Sequence, residues 1–217
     1  MASQPLEKAT NGKPATTFTD RARVFFKGIL DPLGRFLNRL GLTPNMMTVL
    51  GLAGNVFGAL LLARGEMLWG GIVIFLMGPI DGLDGTMARL RGTAGQFGAF
   101  VDSVSDRYSE LIIFGGLLYY FSQQGDSRTM VIVYAAAAGS VLVSYIRSRG
   151  QSLGWDTKVG ILTRMERYLI LAPALILSAF SMNILIVALW IIAIFANITA
   201  IQRIVDVRRQ ARNDSKP

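Results

Sequence analysis

The run Asp81-Gly-Leu-Asp84-Gly85-Thr-Met-Ala88-Arg89, followed by Gly98, Asp102 and Asp106, constrains this chain more than any other feature. It sets four carboxylates in apolar sequence, with residues 72–80 before them and residues 111–121 after. A bare carboxylate at bilayer depth costs roughly 2.5–3.5 kcal/mol on insertion scales. Four of them must share something that offsets that cost. The chain has no histidine and no cysteine, which removes imidazole and thiolate ligands and disulfides. Oxygen donors alone select hard divalent cations. Acid–base chemistry then falls to Asp, Glu, Lys, Tyr or water.

The surrounding sequence is that of an all-α integral membrane protein. Hydrophobic residues make up 52% of the 217, and Lys+Arg number 22 against 14 Asp+Glu. That pairing of apolar content with a basic balance fits membrane spans joined by basic loops. The partner it implies is the lipid bilayer, and no nucleic acid is expected. No signal peptide is expected either, because the first apolar run lies far from Met1. Residues 1–16 read as a disordered polar tail. Over residues 17–40, Phe25, Phe26, Ile29, Leu30, Leu33, Phe36, Leu37 and Leu40 recur at helical spacing among Arg21, Arg23, Lys27, Arg35 and Arg39. This predicts an interfacial amphipathic helix broken near Asp31-Pro32.

Six transmembrane helices are predicted, at about residues 45–63, 68–88, 96–122, 129–148, 165–181 and 183–204, each near the ~20 residues a bilayer core requires. They make one domain over 41–205, with a basic tail at 206–217 and no internal repeat. Arg89, Arg91, Arg147, Arg149, Lys158, Arg164, Arg208, Arg209 and Arg212 fall in alternate loops and the C-terminal tail, whereas the opposite loops carry only Arg64 and Arg128. The positive-inside rule places both termini and the acidic motif on the cytoplasmic side. Gly- and Ala-rich faces (Gly51, Gly54, Gly58; Ala135–Ala138, Gly139) suit close helix packing and would permit a homodimer.

Asp81 and Asp84 are spaced i,i+3 on the second span, and Asp102 and Asp106 i,i+4 on the third, so each pair shares a helix face. A tight turn over 89–97 predicts that the two helices are antiparallel neighbours with both acidic faces aimed at one spot. Two divalent cations bridged by shared oxygens would neutralise such a group, and a two-metal clamp suits displacement at phosphorus. Mg²⁺ takes waters and phosphate oxygens as its other ligands, which points to a phosphate substrate. Gly85, Gly98 and Ala88 leave room for a flat base or a phosphate near the backbone. Arg89 and Arg91 stand where phosphate oxygens would arrive. A lone aspartate paired with a neighbour such as Arg107 is the plain alternative, but it does not account for four acids at helical spacings.

The pattern D-x-x-D-G-x-x-A-R, eight residues, G-x-x-x-D-x-x-x-D is complete from Asp81 to Asp106. It resembles the signature of the CDP-alcohol phosphotransferases. The six-span layout, the amphipathic N-terminal helix and the Leu-Thr-Pro-Asn-Met-Met-Thr run at 42–48 look like the same family, over roughly residues 20–205. The resemblance implies that an acceptor hydroxyl attacks the β-phosphorus of a CDP-alcohol, commonly CDP-diacylglycerol, releasing CMP. It implies two Mg²⁺ or Mn²⁺ ions on Asp81, Asp84, Asp102 and Asp106, with Asp106 also taking the acceptor proton. Gly85, Ala88 and Gly98 would line the cytidine site, Arg89 the diphosphate, and Asn45 and Thr48 the CDP headgroup.

Within the family, the likeness is greatest to the prokaryotic phosphatidylinositol phosphate synthases, whose acceptor is inositol phosphate. The suggestive pieces are Asp106-Arg107, Ser144-Tyr-Ile-Arg147-Ser-Arg149, Thr163-Arg164-Met-Glu-Arg167 and Gln202-Arg203. A phosphorylated acceptor needs cationic donors, and guanidinium geometry suits phosphate. Arg91, Arg147, Arg164 and Arg203 are the expected acceptor residues. Met165 departs from the family's usual proline and Gly95 from its usual hydroxyl residue. The rival acceptor is glycerol 3-phosphate, as in phosphatidylglycerophosphate synthases. A divalent-cation transporter is the alternative of a different class, and it is disfavoured because the acids cluster at one end of the spans.

Overall fold

A computed structural model of the chain describes residues 31–93 and 95–214. The predicted tail 1–16, the first part of the amphipathic segment (17–30) and residues 215–217 lie outside them. The described residues hold no β-strand and seven helices. They are α1 (residues 31–39), α2 (Pro44–Ala63), α3 (Met67–Arg91), α4 (Gln96–Gln123), α5 (Ser127–Ser152), α6 (Arg164–Leu177) and α7 (Met182–Asp214). Four of them, α2, α3, α5 and α7, are long and apolar enough to cross a membrane. The other two spans expected from sequence differ from these. α4 carries Asp102, Asp106, Arg107 and Glu110 in its first half, and α6 has only 14 residues. The last helix does not stop at 204 but runs on through the basic segment to Asp214.

Helix boundaries follow local chemistry. α2 opens on Thr43, whose hydroxyl accepts the Met46 amide, with Pro44 at the first helical position, where its missing N–H costs nothing. α3 ends at Gly92, in the left-handed conformation at φ 67° that favours glycine. α5 opens on Asp126, whose carboxylate accepts the Thr129 amide at 3.1 Å and its hydroxyl at 2.5 Å. Those bonds hold this carboxyl below its ordinary pKa of 3.8. α6 opens with a reciprocal capping box between Thr163 and Glu166.

Small residues decide which helices meet. A Cβ on Gly58 would lie 3.3 Å from the Gly70 carbonyl, so α2 and α3 cross nearly backbone to backbone. Gly116 of α4 meets the Ala59 carbonyl of α2, and Gly71 of α3 meets the α6 backbone at Leu175 and Ile176. Gly139 of α5 receives Asn197 of α7, whose amide donates to the Ala135 and Ala193 carbonyls at 3.0 and 2.7 Å. Leu62, Phe114, Leu117, Leu175, Leu185, Leu189 and Ile192 fill the main core. A smaller cluster of Met47, Leu83 and Met87 sits beneath Leu37 of α1.

One sequence expectation is corrected here. α3 and α4 are joined by a short turn but do not pack on each other as neighbours. α2 lies against both, and α6 lies against α3. The glycines of α2 draw the two acidic helices onto a shared partner, and the charged side chains occupy the gap left between them.

Candidate active site

Asp81, Asp102 and Asp106 each present one oxygen to that gap, all within 4.8 Å of one another. Gly51 of α2 faces this gap, where a Cβ would stand in ordinary contact, 3.8 Å from Asp81 Oδ1. Asp84, the fourth acid of the motif, is buried and turned toward α2. Its Oδ2 accepts the Thr48 hydroxyl at 2.6 Å and its Oδ1 the Gly85 amide at 2.5 Å. Asp84 and Asp81 both face Asp102 as like charges.

The counter-charge comes from α6. Arg164 places one guanidinium nitrogen 2.5 Å from Asp81 Oδ2 and another 2.6 Å from Asp106 Oδ2, linking α3 to α4 where the two helices stand apart. Arg107, the neighbour considered from sequence, instead turns back onto Ser103 of its own helix. One turn along α6, buried Arg167 forms a two-pronged pair with Glu110 of α4, at 2.8 and 3.2 Å, and reaches the Leu162 carbonyl at 3.4 Å. One guanidinium does not balance four carboxylates, and Asp106 Oδ1 is buried without a donor. Surplus negative charge, a spare buried oxygen and an all-oxygen donor set fit a hard divalent cation.

The gap opens into a cleft of about 60 Å³. Asp81, Asp106 and Arg164 make its polar part, and Ile74, Ile113, Phe114, Leu171 and Ala172 its apolar part.

The other residues expected from sequence divide into three groups. Gly85 and Gly98 leave open surface: a Cβ on Gly98 would meet nothing, and one on Gly85 only Arg89 at 3.5 Å. Ala88 is half-buried and Asn45 exposed, while Thr48 is the Asp84 donor. Arg89 is held by the Thr86 hydroxyl at 2.9 Å, over Gly85. Arg91 is not among the residues lining the cleft. It donates to the Leu42 and Asn38 carbonyls at 2.6 and 3.4 Å, tying α3 to the α1–α2 turn.

Arg147 and Arg203 gather where the C-terminal half of α5 meets α7. Arg203 is buried and donates to the Val143 and Val159 carbonyls at 2.6 and 3.0 Å. It faces Arg147 and Arg167 as like charges. Arg147 Nε stands 4.0 Å from Asp156 Oδ1, an ion pair too long for a hydrogen bond, and is buried without a hydrogen-bond acceptor. Bonds from Lys158 and Gln151 hold the exposed Asp156 carboxyl below its ordinary pKa. The loop carrying it is pinned to α7 by Thr199, which accepts the Ile161 and Leu162 amides at 3.2 and 3.0 Å.

Sequence reasoning missed Glu110, Asp156 and Tyr168. Glu110 follows Asp106 at i+4, so it was visible as one more acid on the same face. Asp156 lies in a loop and Tyr168 reads as an aromatic in a span, so neither carried a signal.

Comparison with known proteins completes the picture. Residues 41–201 match the family model described as CDP-alcohol phosphatidyltransferase. The chain is 38% identical to the phosphatidylinositol phosphate synthase of Streptomyces avermitilis, over 96% of this chain and 91% of that protein. It is 34% identical to the one from Mycobacteroides abscessus, over 86% and 87%. Among solved structures, it superposes on the phosphatidylinositol phosphate synthase of Mycobacterium tuberculosis with CDP-DAG bound, at TM-score 0.78 and 34% identity, covering 82% of this chain and 93% of that one. The same enzyme in complex with manganese and citrate gives TM-score 0.78, covering 82% and 88%.

Proposed function

The chain belongs to the CDP-alcohol phosphatidyltransferase family, and from that membership we propose the full reaction: a hydroxyl of inositol phosphate attacks the β-phosphorus of CDP-diacylglycerol, CMP leaves, and a phosphatidyl phosphodiester forms. The observation that carries this reading is the convergence of Asp81, Asp102 and Asp106 within 4.8 Å. The relatives' shared acceptor supports inositol phosphate over glycerol 3-phosphate.

Asp106 Oδ1 is buried and undonated, and it serves as the base that takes the acceptor proton. Asp81, Asp84, Asp102 and Asp106 would hold two Mg²⁺ or Mn²⁺ ions. When bound, such ions draw off the negative charge that develops on the diphosphate oxygens. Thr48 fixes the Asp84 carboxylate. Gly85, Ala88 and Gly98 admit the nucleotide, Arg89 meets the diphosphate, and Asn45 stands at the same exposed rim. Arg147, Arg164 and Arg203 supply positive charge for the acceptor phosphate. Arg91, which also donates to the Leu42 and Asn38 carbonyls, adds to that charge from the α1–α2 turn.

In the membrane, α2 to α7 make six crossings, with the charged half of α4 and the arginine end of α6 turned to the cleft and away from lipid. At ~1.5 Å per residue, α6 spans only about 21 Å, so Arg164 lies below the headgroups, level with the carboxylates. The loop arginines support a cytoplasmic setting for that end, both termini and the site. α1 and the turn after it leave Leu33, Phe36 and Leu40 exposed, which supports residues 31–40 lying on the bilayer beside the 41–205 domain.

An acceptor screen with labelled CDP-diacylglycerol and Mg²⁺ or Mn²⁺ tests the assignment. Inositol phosphate should be converted with release of CMP. Preference for glycerol 3-phosphate would move the chain to the other branch of the family. Uptake of Mn²⁺ into proteoliposomes without CMP release would replace the enzyme with a transporter.

A further inference from the structure

Pro79 stands inside α3, two residues ahead of Asp81. Proline has no backbone N–H, so the carbonyl four residues back, that of Phe75, loses its helical donor. In a bilayer no water replaces it, and prolines persist in spanning helices only where a neighbouring side chain re-satisfies the freed group. Tyr168 of α6 does so: its hydroxyl lies 2.5 Å from the Phe75 carbonyl oxygen and 3.2 Å from that of Ile74. Gly78 makes the approach feasible, because a Cβ there would fall 2.2 to 2.7 Å from the tyrosine hydroxyl and ring. Two adjacent residues of α3 and one residue of α6, some ninety positions away in the chain, therefore form one joint. Pro79 opens the ladder, Gly78 clears the space, and Tyr168 closes the open carbonyl from the next helix.

The joint sits immediately before the carboxylates. Tyr168 lines the same cleft as Asp81 and Asp106, and it follows Arg164 by one turn on the face of α6 that meets α3. The direction of α3 beyond Pro79 sets where Asp81 and Asp84 point. A proline without a fixed partner leaves that direction loose.

We propose that Tyr168 is a positioning residue for the cation-binding carboxylates, acting through the Phe75 carbonyl that Pro79 leaves unpaired. This rests on the metal reading given above. Tyr168 touches neither the reacting atoms nor a cation. Its hydroxyl fixes the segment that carries Asp81.

The test is a double-mutant cycle read by Mn²⁺ binding to the purified full chain in detergent, using electron paramagnetic resonance, with the thermal midpoint recorded alongside. Tyr168→Phe keeps the ring against Gly78 and removes only the hydroxyl. Removing a group that orients a ligand costs about tenfold or more in metal affinity, and tenfold weaker Mn²⁺ binding is expected here. Pro79→Ala returns an N–H to the Phe75 carbonyl, so in that background Tyr168→Phe should change affinity by less than about threefold. If Tyr168→Phe does not fold, the double variant should recover folding, because the restored amide does the hydroxyl's work. Unchanged Mn²⁺ affinity in Tyr168→Phe would overturn the proposal. So would an equal loss in both backgrounds, or a double variant that folds no better than the single one. A wild-type chain that takes up no Mn²⁺ would instead remove the metal reading, and this proposal with it.

Discussion

Consider Glu110→Ala. Arg167 is 2% exposed and directs three donors to fixed partners: Nε and Nη2 to Glu110 at 2.8 and 3.2 Å, and Nη1 to the Leu162 carbonyl at 3.4 Å. Removing Glu110 leaves a guanidinium buried with one weak carbonyl contact. Breaking a buried pair from one side costs about 3–5 kcal/mol, whereas replacing both members with apolar side chains of similar volume is often neutral. Glu110→Ala should thus lower the folded-to-unfolded ratio by at least roughly a hundredfold, since each ~1.4 kcal/mol is a factor of ten. The double change Glu110→Leu/Arg167→Met should recover most of that. Equilibrium unfolding in mixed micelles measures both. α6 also carries Arg164, so Glu110→Ala should depress turnover beyond its effect on the folded fraction. The reasoning fails if Glu110→Ala costs under about 1 kcal/mol, or if the apolar pair is as damaging as the single change.

Asp102→Asn and Asp106→Asn should each abolish CMP release while the protein stays folded and membrane-inserted; wild-type turnover by either purified variant would contradict the assigned roles. Arg147→Ala should raise the acceptor KM with little change in kcat, and an unchanged KM for every phosphorylated acceptor would remove Arg147 from the site. The folded-state pKa of Asp126 is depressed, so its cap contributes in full above the unfolded value. That contribution is lost as pH falls through the lower folded value. The wild-type stability advantage over Asp126→Ala should accordingly hold at neutral pH and shrink in acid, and an advantage that grows in acid would reverse the sign argued here.

The acidic site was legible in the sequence to the extent that helical spacing puts Asp102 with Asp106 and the motif sets Asp81 opposite them, although Asp84 turns away to Thr48. How the two pairs meet was not. A short turn suggests helices packed side by side, yet Gly58 and Gly116 bring α3 and α4 onto α2 instead. Backbone approach at glycine depends on which partner helix arrives, and a single strand of sequence does not state that. The arginines show the same limit. All four were visible as basic residues near one end of the predicted spans, but carbonyls of other elements claim Arg91 and Arg203, and of the four only Arg164 reaches the carboxylates.

Local covalent order thus determined the helices, the oxygen-only chemistry and the membrane setting, because periodicity, residue type and hydropathy act over neighbouring positions. Tertiary structure decided which charges are partnered. It set Arg164 between Asp81 and Asp106, gave Thr48 to Asp84, and closed the Pro79 gap with Tyr168. Where water is excluded, every polar group must find a partner within the fold, and those partners lie between 36 and 93 residues away along the chain.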